Sequence, residues 1–192
     1  MNVQNSPLVR TLRNAFGLKG DANVPCIALF LSLILTLTGC NGLHELELEE
    51  REQQSLKSRL EKLGTVQEHK RIFFVALDSV AGEYAEGDTL HLRYTLYALT
   101  SQGEIVVESN EPDIIAQHKL HPTDTQYPPQ NYVLGKTDWL EGIARGLQYA
   151  APRSSRGWLG IPHAQGYGNT PFGRIPSRTP LLFHYEITNP HP

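Results

Sequence analysis

The stretch Arg156-Gly157-Trp158-Leu159-Gly160-Ile161-Pro162, with His163-Ala164-Gln165-Gly166-Tyr167-Gly168 after it, decides the fold. Gly173-Arg174-Ile175-Pro176 and Leu181-Leu182-Phe183-His184-Tyr185-Glu186-Ile187 complete the run. A short strand pattern leads into a turn that ends on Tyr-Gly, a Gly- and Pro-rich loop closes on Ile-Pro, and an alternating strand follows. In that last strand Leu181, Phe183, Tyr185 and Ile187 share one face and His184 and Glu186 the other, as in a sheet with one buried face.

Upstream, Thr137 to Ala150 carries Leu140, Ile143, Ala144 and Leu147 at i, i+3, i+4, i+7 and predicts the one substantial helix of the domain. Before it the period is that of strands. Arg71 to Leu77 is a short apolar run. Thr89 to Leu99 alternates, with Leu90, Leu92, Tyr94 and Leu96 on one face. Ser101-Gln102-Gly103 predicts a hairpin turn into Glu104–Glu108. One helix beside several antiparallel strands is an α+β class. The segment Asn110–Gln130, with four prolines at 112, 122, 128 and 129, reads as a long irregular loop, either a functional lid or simply mobile.

Leu43 to Leu63 is rich in Glu, Gln, Lys, Arg and Leu, without internal Gly or Pro, and Leu56, Leu60 and Leu63 fall at helical spacing. A dimerising coiled coil and a solvated stalk both suit such a helix. The apolar stripe covers barely two heptads, fewer than a coiled coil wants, which favours the stalk and leaves self-association through 43–63 as the alternative. Further back, Arg10, Arg13 and Lys19 precede an apolar run from Val24 to Leu37 that is shorter than the ~20 residues of a span. With Leu37-Thr38-Gly39-Cys40 behind it, the pattern is that of a secretory signal. It resembles the bacterial lipobox, which implies a diacylated Cys40 at the mature N-terminus. The domain plan is then a signal peptide over 1–39, a lipid-anchored helical stalk over 40–68 and a folded domain over 69–192. Cys26 leaves with the signal, so the mature chain keeps no thiol for a disulfide or for nucleophilic work. The chain carries 17 Lys+Arg against 20 Asp+Glu, a net charge of -3. A mildly acidic exported chain is a poor nucleic-acid binder. The expected location is the bacterial cell envelope, facing the periplasm. Asn41 after the Cys favours the outer over the inner membrane.

From Gly87 to Ile187 the motifs resemble, in order, those of the FKBP-type peptidyl-prolyl isomerases. They are Gly87-Asp88-Thr89 before the strand with Tyr94-Thr95, then Tyr132-Val133-Leu134-Gly135-Lys136 leading into Trp139-Leu140-Glu141-Gly142-Ile143, then Gly146-Leu147 and the C-terminal run quoted above. The resemblance implies a curved antiparallel sheet wrapped on one helix, with a proline-binding pocket between them and no cofactor or metal. It places Tyr94, Val107, Leu140, Ile143 and Ile175 in the substrate-binding wall. Tyr167, Phe183 and Glu108 take the catalytic positions, Tyr167 as the hydroxyl that meets a substrate carbonyl. Val107-Glu108 stands where the family usually has Phe-Asp, and Ile143 aligns with its Trp floor, which implies a wider, less aromatic pocket. Arg174 stands where an apolar residue is common, which favours acidic partners. In the long 110–130 segment the chain is similar to lipid-anchored isomerases associated with gliding motility in some bacteria. The implied function is prolyl isomerisation of proline-containing exported or envelope polypeptides. The alternative is a weakly active or inactive FKBP-like binding or chaperone module.

Other chemistries find little support. His118 and His121 are spaced like ligands on a helix but have no further ligand group near them in sequence. Gly166, Gly168 and Gly173 are not followed by the Lys-Ser/Thr and helix of a phosphate loop.

Overall fold

A computed structural model describes residues 44–79, 84–122 and 126–189. The expected signal segment and the expected lipidation at Cys40 fall outside the described residues. The chain divides into two units, Met1–Leu48 and Glu49–Pro192. Of the first, residues 44–48 are described, and they are helical. The second begins inside the same helix (α1, described over 44–60) and contains every other element among the described residues.

In chain order these are β1 (Gln67–His69), β2 (Ile72–Ala76), β3 (Thr89–Thr100), β4 (Gly103–Ser109), α2 (Pro112–His118), β5 (Gln130–Val133), α3 (Glu141–Ala150), β6 (Arg156–Ile161), a 3-10 turn (His163–Gln165) and β7 (Leu181–Ile187). The strands form one open, curled antiparallel sheet in the order β1-β2-β6-β7-β3. Two strands share the far edge of β3: β4 pairs Thr95–Thr100 and β5 pairs Thr89–Leu92. The architecture is α+β, as the sequence pattern implies.

The front face of the sheet carries the main core. Leu90, Leu92, Leu96, Phe183 and Tyr185 pack there beneath α3, whose Ile143, Ala144, Leu147 and Ala150 form its buried stripe. Helix and sheet approach closely because Gly146 has no side chain; a Cβ there would lie 2.5 Å from Leu159 Cδ1. The helix is shorter than its periodicity predicts. It begins at Glu141, and Leu140 before it has an extended ψ of 137°, so Trp139 lies outside the helix.

The back face is also covered, contrary to the reading of 40–68 as a stalk. Leu56 and Leu60 are both 0% exposed and pack with Phe73, Val75 and Leu182. Gly160 leaves the room; a Cβ on it would come 2.7 Å from Leu60 Cδ1. A sheet covered on both faces needs strands that are apolar at consecutive positions. That is the meaning of Ile72-Phe73-Phe74-Val75 in β2 and Leu181-Leu182-Phe183 in β7. Polar contacts add to this seal: Arg59 bonds Glu104 of β4, and Arg71 Nη2 meets Glu49 at 2.5 Å. The leucines that suggested a coiled-coil seam are thus occupied within the chain's own fold.

The loop after α3 is tied to the end of β2 by Asp78, whose carboxylate accepts from Ser154 Oγ (2.7 Å), Ser155 N (3.0 Å) and Ser155 Oγ (2.7 Å). Burial alone would raise this carboxyl, but the hydrogen bonds outweigh it and hold the group below the ordinary carboxylate range. A depressed pKa contributes stability that is fully present above the unfolded value of ~3.9 and is lost as pH falls through the folded one. Asp78→Asn should therefore cost ~1 kcal/mol at pH 7, after discounting for solvent screening, and the gap from wild type should close below about pH 4. Urea titrations of both chains at pH 7 and pH 3 measure it; an equal gap at the two pH values contradicts the assignment.

Candidate functional site

The site starts from a break in register. Thr95 pairs with Ser109 and Leu96 with Glu108, but Tyr97 pairs with Val106, so Val107 is an extra residue in β4. Such a bulge turns neighbouring side chains that strict alternation would send to opposite faces. Val107 packs against the front core, and Glu108 Oε1 accepts a 2.8 Å hydrogen bond from the Tyr94 hydroxyl. Burial first, then the Glu108 carboxylate, push the Tyr94 phenol well above its ordinary range, so it stays protonated and donates. The extra methylene of Glu relative to Asp does not prevent this contact.

Around Tyr94 the rings close up. Its centroid lies 5.4 Å from Phe183 and 5.3 Å from Trp139, and Trp139 stands 6.1 Å from Phe183 and 5.2 Å from Tyr132. These are the separations of favourable offset and edge contacts. Trp139 reaches them because it precedes the helix, on the turn after β5. It brings an indole beside Tyr94, Tyr132 and Phe183 that the aligned Ile143 cannot supply. Ile143, Ile175 and Phe183 are 5, 1 and 0% exposed. They form a buried layer, and half-buried Val107, Leu140, Trp139 and Tyr167 pack against that same core from the outside.

Tyr167 follows the 3-10 turn His163–Gln165, which is fixed by a buried clasp to α1. Glu52 accepts from His163 N at 2.5 Å, and its other oxygen lies 2.6 Å from His163 Nδ1. Gly168, at φ +67°, gives the turn its left-handed exit, and its N–H bonds back to the His163 carbonyl. Burial, then Glu108, raise the Tyr167 phenol, which sets its electrostatics beside the Tyr94–Glu108 pair. Its ring stacks at 4.6 Å on Phe172, a largely exposed residue on the Phe172–Ile175 hairpin. Arg174 is exposed at the tip of that hairpin.

The described residues of the 110–130 segment are more regular than its prolines suggest. Pro112–His118 is a helix, with Pro at its first turn and Asp113 favouring its N-terminus. Between β4 and β5 the edge of β3 would be unpaired, and the Asn110 side chain fills the gap. Its Oδ1 accepts from Tyr94 N (2.7 Å), and its Nδ2 donates to Leu92 O (2.8 Å) and Pro128 O (3.3 Å). From the other face of β3, Arg93 Nη1 donates to the carbonyls of Asn110 and Tyr127. Sequence reading missed both residues; the available signal was an Asn directly after a strand whose partner edge changes hands. An open cavity of about 450 Å³ results, lined by Tyr94, by Glu108 to Asn110 and by His121 and residues 127–131. His121 stacks on Tyr127 at 5.4 Å. Among the described residues, no three His, Cys, Asp or Glu side chains gather to hold a metal ion.

No family model matches the chain, and no curated protein matches its sequence. Among the solved structures that the chain resembles are three that follow. A peptidyl-prolyl cis-trans isomerase from Pseudomonas syringae pv. tomato is 20% identical, with 76% of this chain and 95% of that one covered and a TM-score of 0.48. FkpA from Escherichia coli is 17% identical, covering 96% of this chain and 82% of that one, TM-score 0.48. The N-terminal domain of FKBP42 from Arabidopsis thaliana is 19% identical, covering 65% and 90%, TM-score 0.48. At such identities and scores the chemistry has to be read from this chain's own side chains.

Proposed function

We propose that this chain is a peptidyl-prolyl cis-trans isomerase of the bacterial envelope, anchored by lipid on Cys40 and acting on proline-containing exported polypeptides. The observation that carries the reading is the group of three rings, Tyr94, Trp139 and Phe183, held within 5.3–6.1 Å of one another beside a Tyr94–Glu108 hydrogen bond. The bond before proline is held planar by resonance, with a rotation barrier of ~18–20 kcal/mol, and exchanges in tens to hundreds of seconds. A twisted amide has lost resonance and carries less separated charge, so an apolar aromatic wall penalises it less than the planar ground state. In this scheme Trp139 and Leu140 receive the proline ring, Phe183 and Ile175 support them from beneath, and the Tyr167 hydroxyl orients the substrate carbonyl. Glu108 holds the Tyr94 phenol in place.

A second reading, a binding or chaperone module with little turnover, is favoured by one observation: Phe183 and Ile175 are covered, and the open cavity lies to one side of the rings. A protease-free tetrapeptide isomerisation assay on the full chain in detergent micelles separates the two. Isomerisation is expected well above background, with kcat/KM falling about tenfold in Tyr167→Phe, the equivalent of a ~1.4 kcal/mol hydrogen bond. A rate indistinguishable from background at high enzyme leaves the module reading.

A further inference from the structure

The cavity beside the rings has a chemistry that the isomerase reading does not use. One wall is the exposed Glu108 carboxylate, whose Oε1 takes the Tyr94 hydrogen bond. Among the described residues no Lys, Arg or His forms an ion pair with it. The same cavity is lined by Tyr127, whose ring stacks on His121, and by Pro128 and Pro129. Arg93 is not among the cavity's lining residues, and by strand alternation it sits on the other face of β3 from Tyr94. There its guanidinium serves the Asn110 and Tyr127 carbonyls, and its charge helps to lower the Glu111 carboxyl after the larger effect of His184. The wall is preorganised, because Asn110 and Arg93 fasten both ends of the segment through backbone atoms. A volume of about 450 Å³ is in the range of small-ligand sites.

We infer that this cavity is a subsite for a basic side chain, Lys or Arg, of the polypeptide whose prolyl bond lies at the neighbouring rings. It rests on the isomerase reading for that placement. An exposed carboxylate and an aromatic residue lining one cavity complement a cation by charge and by cation–π attraction.

The test uses the full chain in micelles and blocked tetra- and pentapeptides with Lys, norleucine or Glu at each position within two residues of the proline. Both isomerisation and binding, the latter by tryptophan fluorescence, are measured. At one position Lys should exceed norleucine by about fivefold or more at low salt and Glu should be disfavoured. The preference should shrink at 0.5 M salt, since exposed charges are screened over ~10 Å already at 0.1 M. Glu108→Gln should bring the Lys:norleucine ratio close to one, and Glu108→Lys should invert it. Tyr127→Ala keeps the carbonyl that Arg93 bonds and should lower the ratio without unfolding the chain, which a thermal melt checks. Equal ratios in wild type, or a Lys preference that survives Glu108→Gln, overturn the subsite. Absence of turnover on every peptide would instead sink the isomerase reading, and the binding ratios would then decide the subsite by themselves.

Discussion

Leu60→Ala will lower the folding free energy by ~2–5 kcal/mol, and Leu56→Ala with Leu60→Ala together will leave little of a stable native state. Both side chains are 0% exposed on the back of the sheet. Truncating a buried Leu loses its transfer free energy and leaves a cavity that a sheet cannot collapse to fill. Because typical domains have only ~5–15 kcal/mol in total, two such losses are a large share of it. Residues in contact do not add strictly, so the double variant is measured rather than summed. A solvated stalk would behave otherwise: Leu→Ala on an exposed helix changes stability by a few tenths of a kcal/mol at most. Chemical denaturation of the single and double variants, followed by Trp158 fluorescence on the back face, distinguishes the two. An unchanged midpoint in both variants would return α1 to the role of a spacer.

The second large effect separates Trp139 from Ile143. Trp139→Ala removes the ring that contacts Tyr94, Tyr132 and Phe183 and is expected to reduce prolyl isomerisation about a hundredfold in kcat/KM, equivalent to ~2.7 kcal/mol of lost differential binding. Its cost to stability should be smaller than for a fully buried Trp, because the residue is half-exposed. Ile143→Ala should do the reverse. At 5% exposure it belongs to the packed stripe of α3, and its loss costs ~2–5 kcal/mol of stability with a lesser effect on kcat/KM of the molecules that remain folded. Measuring both parameters on both variants decides which residue meets the substrate. If Ile143→Ala proves the catalytic lesion while Trp139→Ala turns over normally, the aligned position is the floor after all.

The strands and the main helix were legible because their signals are local. Leu181-Phe183-Tyr185-Ile187 alternates in sequence and lines one face in space, and Ile143, Ala144 and Leu147 repeat at helical spacing and are buried. Tyr94, Phe183, Ile175 and Tyr167 were nameable as a group from a motif order. Their convergence then depends on pairings such as Leu96↔Phe183 and Leu159↔Phe183, which no local pattern encodes. The start of α3 was misread because Trp139 and Leu140 continue an apolar helical period while their backbone does not. Helix Pro112–His118 was hidden by prolines around it, although Pro at a helix start is favourable.

The amino-acid order alone settled the α+β class, the main strands and the main helix, since each follows from side-chain periodicity within a dozen residues, whereas the candidate pocket residues came from the order of motifs in the family resemblance. Only the folded chain decided which helix covers the back of the sheet, which indole faces Tyr94 and what borders the cavity beside Glu108. The reason is common to all three. A leucine at helical spacing is compatible with solvent, a partner or a sheet, and the choice among them depends on surfaces built by residues more than ten positions away.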